Sequence, residues 1–186
     1  METVTKRLII RRMAVADLLD FLAYQTHPEV LRYMPVEPLT EEQAMGLLSR
    51  QAVVEIDDEG GYIMFAIYLI DDAKVIGEVG INLFPKAQSK GEIGWSLHPN
   101  YQGFGYATEA ALVLLNYGFT HRHLHRITSI CDTRNTASFR LMERLGMRRE
   151  GHLKQSHFMK GSWQDEYIYA ILHDEWVALH RVTDNE

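Results

Sequence analysis

The 186 residues carry 19 basic and 25 acidic side chains, a formal charge of −6, with 46% hydrophobic and 24% charged residues. That is the composition of a folded globular chain, and the charge has the wrong sign for non-specific nucleic-acid binding. It suits a cationic partner such as an amine or a basic peptide. The one cysteine, Cys131, excludes an internal disulfide and fits a reducing cytoplasm. No apolar run is long enough to span a membrane, and Lys6, Arg7, Arg11 and Arg12 interrupt any leader-like stretch near Met1. The length is that of one domain, residues 1–186.

Arg7-Leu-Ile-Ile-Arg-Arg12 predicts a short strand, and Val15–Tyr24 an amphipathic segment with Val15, Leu18, Leu19 and Leu22 on its apolar face. His27-Pro28 breaks it. Pro35 and Pro38 bracket a loop ending at Thr40, which forms a capping box with Gln43; the helix that follows has Met45, Leu47, Leu48, Ala52 and Val53 as apolar positions. Tyr62–Ile70 and Val75–Phe84 predict a hairpin through Asp71-Asp72. Asp57-Asp58-Glu59 reads as a solvated loop before it. After the connection Pro85–Gly91 comes a strand at Glu92–His98, in which Ile93, Trp95 and Leu97 alternate with Glu92, Gly94 and Ser96. A helix is expected from Gly103 to about Thr120, with Ala107, Ala110, Ala111, Leu114, Leu115 and Gly118 on one face. Arg126–Cys131 reads as a strand and Thr136–Leu145 as a helix closed by Gly146 in a left-handed C-cap. Leu153–Met159 and Trp163–Leu172 are two further strands, joined by a tight turn at Lys160-Gly161. Helices separated by runs of strands make an α/β domain around one central, mixed sheet.

The segment between the Glu92–His98 strand and the helix after it, Gln102-Gly-Phe-Gly-Tyr-Ala107, concentrates small residues at a helix N-terminus. Such a loop lets the backbone approach a ligand and leaves N–H groups free, which is a phosphate site by geometry and by dipole. A dinucleotide fingerprint would want glycine where Thr108 stands, and no Gly-Lys-Ser/Thr exists for a P-loop. The pattern Gln102-x-x-Gly105-x-Ala107 resembles the acetyl-CoA pyrophosphate loop of the GNAT superfamily of N-acetyltransferases. Gly105-Tyr-Ala-Thr-Glu-Ala110 and the Arg7-Leu-Ile-Ile-Arg start look like its RimJ/RimL branch of ribosomal-protein acetyltransferases. A second motif, Asn135-Thr-Ala-Ser138-Phe-Arg-Leu141-Met-Glu-Arg-Leu-Gly146-Met147, resembles the family's Asn-x-x-Ser-x-x-Leu-x-x-x-x-Gly-Phe segment, with Met147 for the usual Phe. A third, Lys160-Gly-Ser-Trp-Gln-Asp-Glu-Tyr-Ile-Tyr-Ala170, resembles its last hairpin. The resemblance runs from about Lys6 to Trp176. It implies the GNAT fold: a mixed, mostly antiparallel sheet flanked by helices, with a splayed strand pair forming the acetyl-CoA site.

It further implies transfer of an acetyl group from acetyl-CoA, as co-substrate, directly to a primary amine in a ternary complex. The acceptor is a protein N-terminal α-amine or a small-molecule amine. Backbone donors to the pyrophosphate map onto Gly103, Phe104, Gly105, Tyr106, Ala107 and Thr108, with Gln102 opening the loop. The pantetheine arm would pair with the strand at Trp95, Ser96 and Leu97, as an added strand does, and Asn135 would contact it; Asn135 can also cap its own helix. A backbone N–H near Leu97 would stabilise the thioester oxyanion, a contribution of about 3–4 kcal/mol. Many members protonate the departing thiolate with a tyrosine seven residues after the asparagine; Met142 stands there, so the role falls on Ser138, which RimL-like members use. RimL-like chains carry a carboxylate four residues before the last hairpin glycine, and here that position is His157, a base suited to neutral pH. Glu92 is the reserve base. Glu109 is already explained by the helix dipole.

His121 and His125 stand four apart but near a helix C-terminus, without a cysteine or clear carboxylate partner, so no metal is expected. Cys131 reads as core, and Trp163, Tyr167 and Tyr169 as packing or as the lining of an acceptor channel. Pro35–Thr40 and the helix after it are expected to shape the acceptor pocket. Neither nucleic acid nor membrane is expected as a partner, a homodimer is left open, and the expected location is the cytoplasm. The departures at His157 and Met142 leave an alternative from another class: a non-catalytic acyl-CoA sensor or regulatory module on the same fold.

Overall fold

The computed structural model describes residues 1–55 and 60–181, so the expected loop at Asp57-Asp58-Glu59 lies outside the described residues. Eight strands form one sheet: β1 (Thr3–Val4), β2 (Leu8–Arg12), β3 (Gly61–Leu69), β4 (Lys74–Leu83), β5 (Lys90–Leu97), β6 (Arg126–Asp132), β7 (Arg148–Met159) and β8 (Ser162–Leu172). Their order is β1-β2-β3-β4-β5-β6-β8-β7. Every neighbouring pair is antiparallel except β5 and β6. The helices are α1 (Leu18–Gln25), α2 (Pro28–Leu31), α3 (Glu41–Val53), α4 (Tyr106–Asn116), α5 (Thr136–Arg144) and α6 (His173–Arg181).

Strand β3 shows how the two faces are filled. Ile63, Phe65, Ile67 and Leu69 point into one core with Ala110, Ala111, Leu114 and Leu115 of α4, while Met64 and Ala66 point into a second with Phe21, Tyr24, Ala44 and Leu48 of α1 and α3. A strand covered on both faces reads as a continuous apolar run, as Tyr62–Ile70 does. The α4 stripe is the one expected from helical spacing, and all four residues are fully buried.

Three expectations are corrected. Helix α4 begins at Tyr106 and not at Gly103, because Gly103 and Gly105 both have φ +85, outside the right-handed helical region. On α1 half of the expected apolar face is buried: Leu18 and Leu22 pack against the second core with Phe21, Tyr24 and Gln25, whereas Val15 and Leu19 are 41% and 81% exposed. On α3, Met45 and Val53 are exposed while Ala44, Leu48 and Gln51 face inward, where the Gln51 side chain accepts the Met64 N–H at 2.9 Å. In both helices a polar side chain with a buried partner sets the rotation. The Thr40–Gln43 capping box forms as expected, with its two hydrogen bonds at 2.9 and 3.2 Å. Gly146 takes φ +79, and Lys160 and Gly161 both take positive φ in the last hairpin turn.

Strand β7 starts at Arg148, five residues before its expected start. Helix α6, which sequence reading missed, buries Trp176 against Phe119 with ring centroids 5.7 Å apart. Replacing Leu114 by Ala should lower stability by about 2–5 kcal/mol, since the side chain is fully buried between α4 and the sheet. Urea denaturation of the two proteins checks this, with m expected unchanged.

Candidate active site

Strands β5 and β6 pair over only three positions, Lys90–Arg126, Gly91–Ile127 and Glu92–Thr128. The pair is clamped at its start, where Ser89 O accepts from the N–H groups of His125 (2.7 Å) and Arg126 (3.3 Å). At Gly91 the packing is close enough that a Cβ would stand 2.8 Å from Leu124 Cδ1. Beyond Glu92 and Thr128 the two strands no longer pair with each other, although β5 stays paired with β4 to Leu97 and β6 with β8 to Asp132. The two strands therefore splay, and the edges that face each other there carry unpaired backbone groups.

The splay opens into a cleft of about 820 Å³. Trp95, Ser96 and Leu97 line one wall, Ser129 to Asp132 the other, and the glycine loop closes one end. Of the cofactor residues expected from sequence, Gln102, Gly103, Gly105, Tyr106, Ala107, Thr108 and Asn135 also line it. Phe104 does not: its ring is 62% exposed and its carbonyl accepts from Arg7 Nη1 at 2.8 Å.

Tyr106, Ala107 and Thr108 form the first turn of α4, whose N–H groups have no partner within the helix. The loop is braced from β2. Arg7 lies over the Tyr106 ring, 4.5 Å from its centroid, and is gripped by Glu109 through Nε (2.7 Å) and Nη2 (2.6 Å). Glu109 also accepts from Thr5 Oγ1 (2.5 Å) and the Arg7 N–H (3.2 Å). Burial pushes the Glu109 carboxyl up, but these hydrogen bonds and the Arg7 charge outweigh it and hold it below its ordinary value. Gln102 Nε2 donates to Leu97 O at 2.9 Å, tying the loop to the end of β5.

On the far wall, Asn135 Oδ1 accepts the Ser138 N–H at 3.1 Å, so the capping role exists as expected, and Ser138 itself lines the cleft. Beside it, burial pushes the Cys131 thiol up to about 11. Cys131 is therefore an inert thiol, although it contributes to the cleft wall as well as to the core. Asp132 is occupied: it accepts from the Arg134 N–H (2.8 Å), Nε (2.9 Å) and Nη2 (2.6 Å).

His157 and Glu92 are not among the residues that line the cleft. His157 Nδ1 lies 3.4 Å from Glu166 Oε1, and the Glu92 carboxyl is pushed up by burial and then by the Glu166 charge. The end of the cleft beside α2 is walled by Glu29, Val30 and Arg32 to Met34, on and just after that helix. Pro35–Thr40 and α3, expected to shape it, stand outside the lining; the chain enters the cleft before the prolines turn it away. His121 stacks on Tyr117 at 5.7 Å and pairs with Thr120 Oγ1.

Sequence reading passed over Glu78. It lies on β4 directly across from Ser96 of β5, 7% exposed, and contributes to the cleft floor. Its oxygens accept from Tyr24 Oη and Gln25 Nε2, each at 2.9 Å. Burial raises its carboxyl to about 7 against the lowering effect of those two bonds. The signal was available: Val75-Ile-Gly-Glu-Val-Gly-Ile81 is an apolar strand interrupted by a lone carboxylate. Beside it Gly80 and Gly94 face each other across β4 and β5, and the floor is open on the Gly94 side alone. Tyr62 lies over Gly80, where a Cβ would be 2.1 Å from its Oη, whereas a Cβ on Gly94 would meet nothing within 4 Å.

A mixed sheet that splays beside a glycine loop at the start of its crossover helix defines the GNAT class of acyltransferase folds. Residues 7–148 match the acetyltransferase (GNAT) domain family, and the chain belongs to it and is an N-acetyltransferase. It is 38% identical to the uncharacterized N-acetyltransferase YnaD of Bacillus subtilis (strain 168), over 95% of this chain and 99% of that one. The crystal structure of a GNAT-family acetyltransferase from Bacillus anthracis superposes with a TM-score of 0.84 at 34% identity, covering 94% of this chain and 99% of the other. A more distant relative is the [ribosomal protein uS5]-alanine N-acetyltransferase of Escherichia coli (strain K12), 27% identical over 92% of this chain and 91% of its own. The expected likeness to the RimJ/RimL branch is borne out, and the non-catalytic alternative is set aside.

Glu109→Gln should cost about 1–2 kcal/mol at pH 7, a partly exposed, charge-assisted network being lost. Because the folded carboxyl lies below its ordinary value of 4.5, that contribution is complete above the usual carboxylate range and is lost as pH falls through the folded value. Urea denaturation of wild type and variant should therefore differ at pH 7 and converge near the acid end of the stable range.

Proposed function

We propose that this N-acetyltransferase takes its acetyl group from acetyl-CoA and passes it directly to a primary amine, with both substrates bound at once. The single observation that carries the reading is the splay after Glu92 and Thr128, continuous with the first turn of α4. An extended arm of amides would satisfy the unpaired edge of Trp95, Ser96 and Leu97 as an added strand. The N–H groups from Gly103 to Thr108 and the helix dipole would hold the pyrophosphate. The lining supports this fit, since Gly103 leaves open space on its Cβ side and Gly105 would meet only the end of the Arg7 side chain, at 3.5 Å. Phe104 would take part through its N–H, its ring standing outside the cleft. Asn135 would orient the arm from the opposite wall.

Ser138 Oγ would donate to the sulfur as the C–S bond breaks, a role supported by its place in the cleft and by the absence of a tyrosine at Met142, which is buried in the core. The acceptor enters from the α2 side, where the lining carries the carboxylates of Glu29 and Glu78. Two carboxylates against the one guanidinium of Arg32 on that side favour an amine, either a protein N-terminus or a small molecule. With its single cysteine reduced, the protein would act in the cytoplasm.

Isothermal titration with acetyl-CoA should give saturable binding that Gly105→Glu abolishes, because the new side chain brings a negative charge and an unfavourable φ to the phosphate loop. No binding by the wild type at high concentration would defeat the proposal. Thiol release should then be followed over an amine panel of peptides with a free N-terminal alanine or serine and simple polyamines. With whichever acceptor is fastest, Ser138→Ala should lower kcat about 10²-fold while leaving acetyl-CoA affinity within twofold.

A further inference from the structure

The transfer proposed above requires the acceptor nitrogen to lose a proton, and neither base expected from sequence lines the cleft. Three carboxylates among the described residues do: Glu29, Glu78 and Asp132. Glu29 is exposed on α2, and Asp132 is taken up by three hydrogen bonds from Arg134. Glu78 differs from both, being buried, free of any cationic partner, and held in one orientation by two neutral donors.

We infer that Glu78 is the group that takes up the acceptor amine's proton. The inference rests on the acetyl-transfer reading. Its position follows from the ladder: Glu78 lies opposite Ser96, the middle of the three β5 residues whose free edge would carry the thioester arm. Of the neighbouring glycine pair, Gly80 is covered by the Tyr62 ring, whereas Gly94, with nothing within 4 Å of its Cβ position, leaves open space on the β5 side of the carboxylate. Each carboxylate oxygen receives one hydrogen bond and keeps a second lone pair for the substrate side. In the step itself, the nitrogen lone pair attacks the thioester carbon as the N–H proton moves to Glu78, directly or along one water. The C–S bond then breaks with its electron pair going to sulfur, which is protonated from the Ser138 side. The carboxylic acid then releases its proton to solvent and Ser138 recovers one from it, so the protons balance and no oxidant or metal enters.

The groups that face Glu78 are Tyr24 and Gln25 from α1 and Tyr62 from β3; across the ladder on β5 it meets Ser96, which does not titrate. With Glu78 required as the carboxylate, kcat should fall with acidity below a limb near pH 7. Tyr24 Oη lowers that value by its hydrogen bond, so Tyr24→Phe should move the limb to higher pH. The amine's own titration is common to both enzymes and cancels in the comparison.

The test is the pH profile of kcat for wild type, Glu78→Gln and Tyr24→Phe, run with the fastest acceptor of the amine panel, together with acetyl-CoA titrations. The expected result is a Glu78→Gln enzyme with unchanged acetyl-CoA affinity, kcat lower by about 10²-fold or more and the limb absent, and a Tyr24→Phe enzyme whose limb is displaced upward. A Glu78→Gln kcat within threefold of wild type, or an unmoved limb in Tyr24→Phe, overturns the assignment. Should Glu78→Gln not fold, the Tyr24→Phe limb decides, because that variant keeps the carboxylate. A wild type that binds no acetyl-CoA would end the transfer reading itself and the assignment with it, whereas intact binding with an unmoved limb ends the assignment alone.

Discussion

The site depends on one incomplete strand pairing. β5 and β6 are the only parallel neighbours in the sheet, and parallel strands need a crossover, which here is α4. The crossover must start at the C-terminal end of β5, the end toward which the two strands part. The opening in the ladder and the helix N-terminus thus come to the same place because of one topological fact. Open α/β sheets bind ligands beyond the C-terminal ends of parallel strands for the same reason. Buried backbone N–H and C=O groups left without partners are costly. An extended ligand bearing amides would supply those partners, so the splay has a physical use only when something strand-like fills it.

Two arginines stand against the glycine loop and the first turn of α4. Arg144 donates from Nη2 to Thr108 Oγ1 at 3.4 Å and lines the cleft, whereas Arg7 is spent on Glu109 and the Phe104 carbonyl, so it acts as a strut. The strut matters because Gly103 and Gly105, both at φ +85, have no Cβ to limit them and would otherwise leave the loop loosely defined. Thr5, Arg7 and Glu109 link β1 and β2 to α4 across about a hundred residues of sequence. The turn between the first two strands, peripheral in the sheet order, thereby braces the loop.

What could be read from the sequence was what repeats locally. The α4 stripe, the capping box at Thr40, the C-cap at Gly146 and the turn at Lys160-Gly161 each express a short-range rule, and each is found. That four residues would share one cleft was legible for a different reason: two motifs contain Gln102, Gly105, Asn135 and Ser138, and all four line it. Properties set by distant partners were not legible. His157 was assigned by counting from a hairpin glycine, but the counting says nothing of Glu166 standing 3.4 Å from its ring. Helix α6 carries its few apolar residues among acidic and basic ones, and only the stacking of Trp176 on Phe119 explains where it goes.

The misjudged face of α1 and the overlooked Glu78 have a common origin. By periodicity, Val15, Leu18, Leu19 and Leu22 should seek the core, yet Leu19 is left in water. The helix is instead turned so that Tyr24 and Gln25 meet Glu78 beneath the sheet face. A buried carboxylate without donors would cost several kcal/mol or give up its charge. Two neutral donors offset part of that cost without fixing the charge as an arginine would, which leaves the carboxyl near 7 and able to go either way. An ion pair, as at Asp132, would have been more stable against acid and useless as a proton acceptor near neutrality. The rotation of α1 leaves Leu19 in water while Leu18, Phe21 and Leu22 stay packed on the core, and it brings two neutral donors to Glu78, a placement that local hydrophobic patterning does not predict.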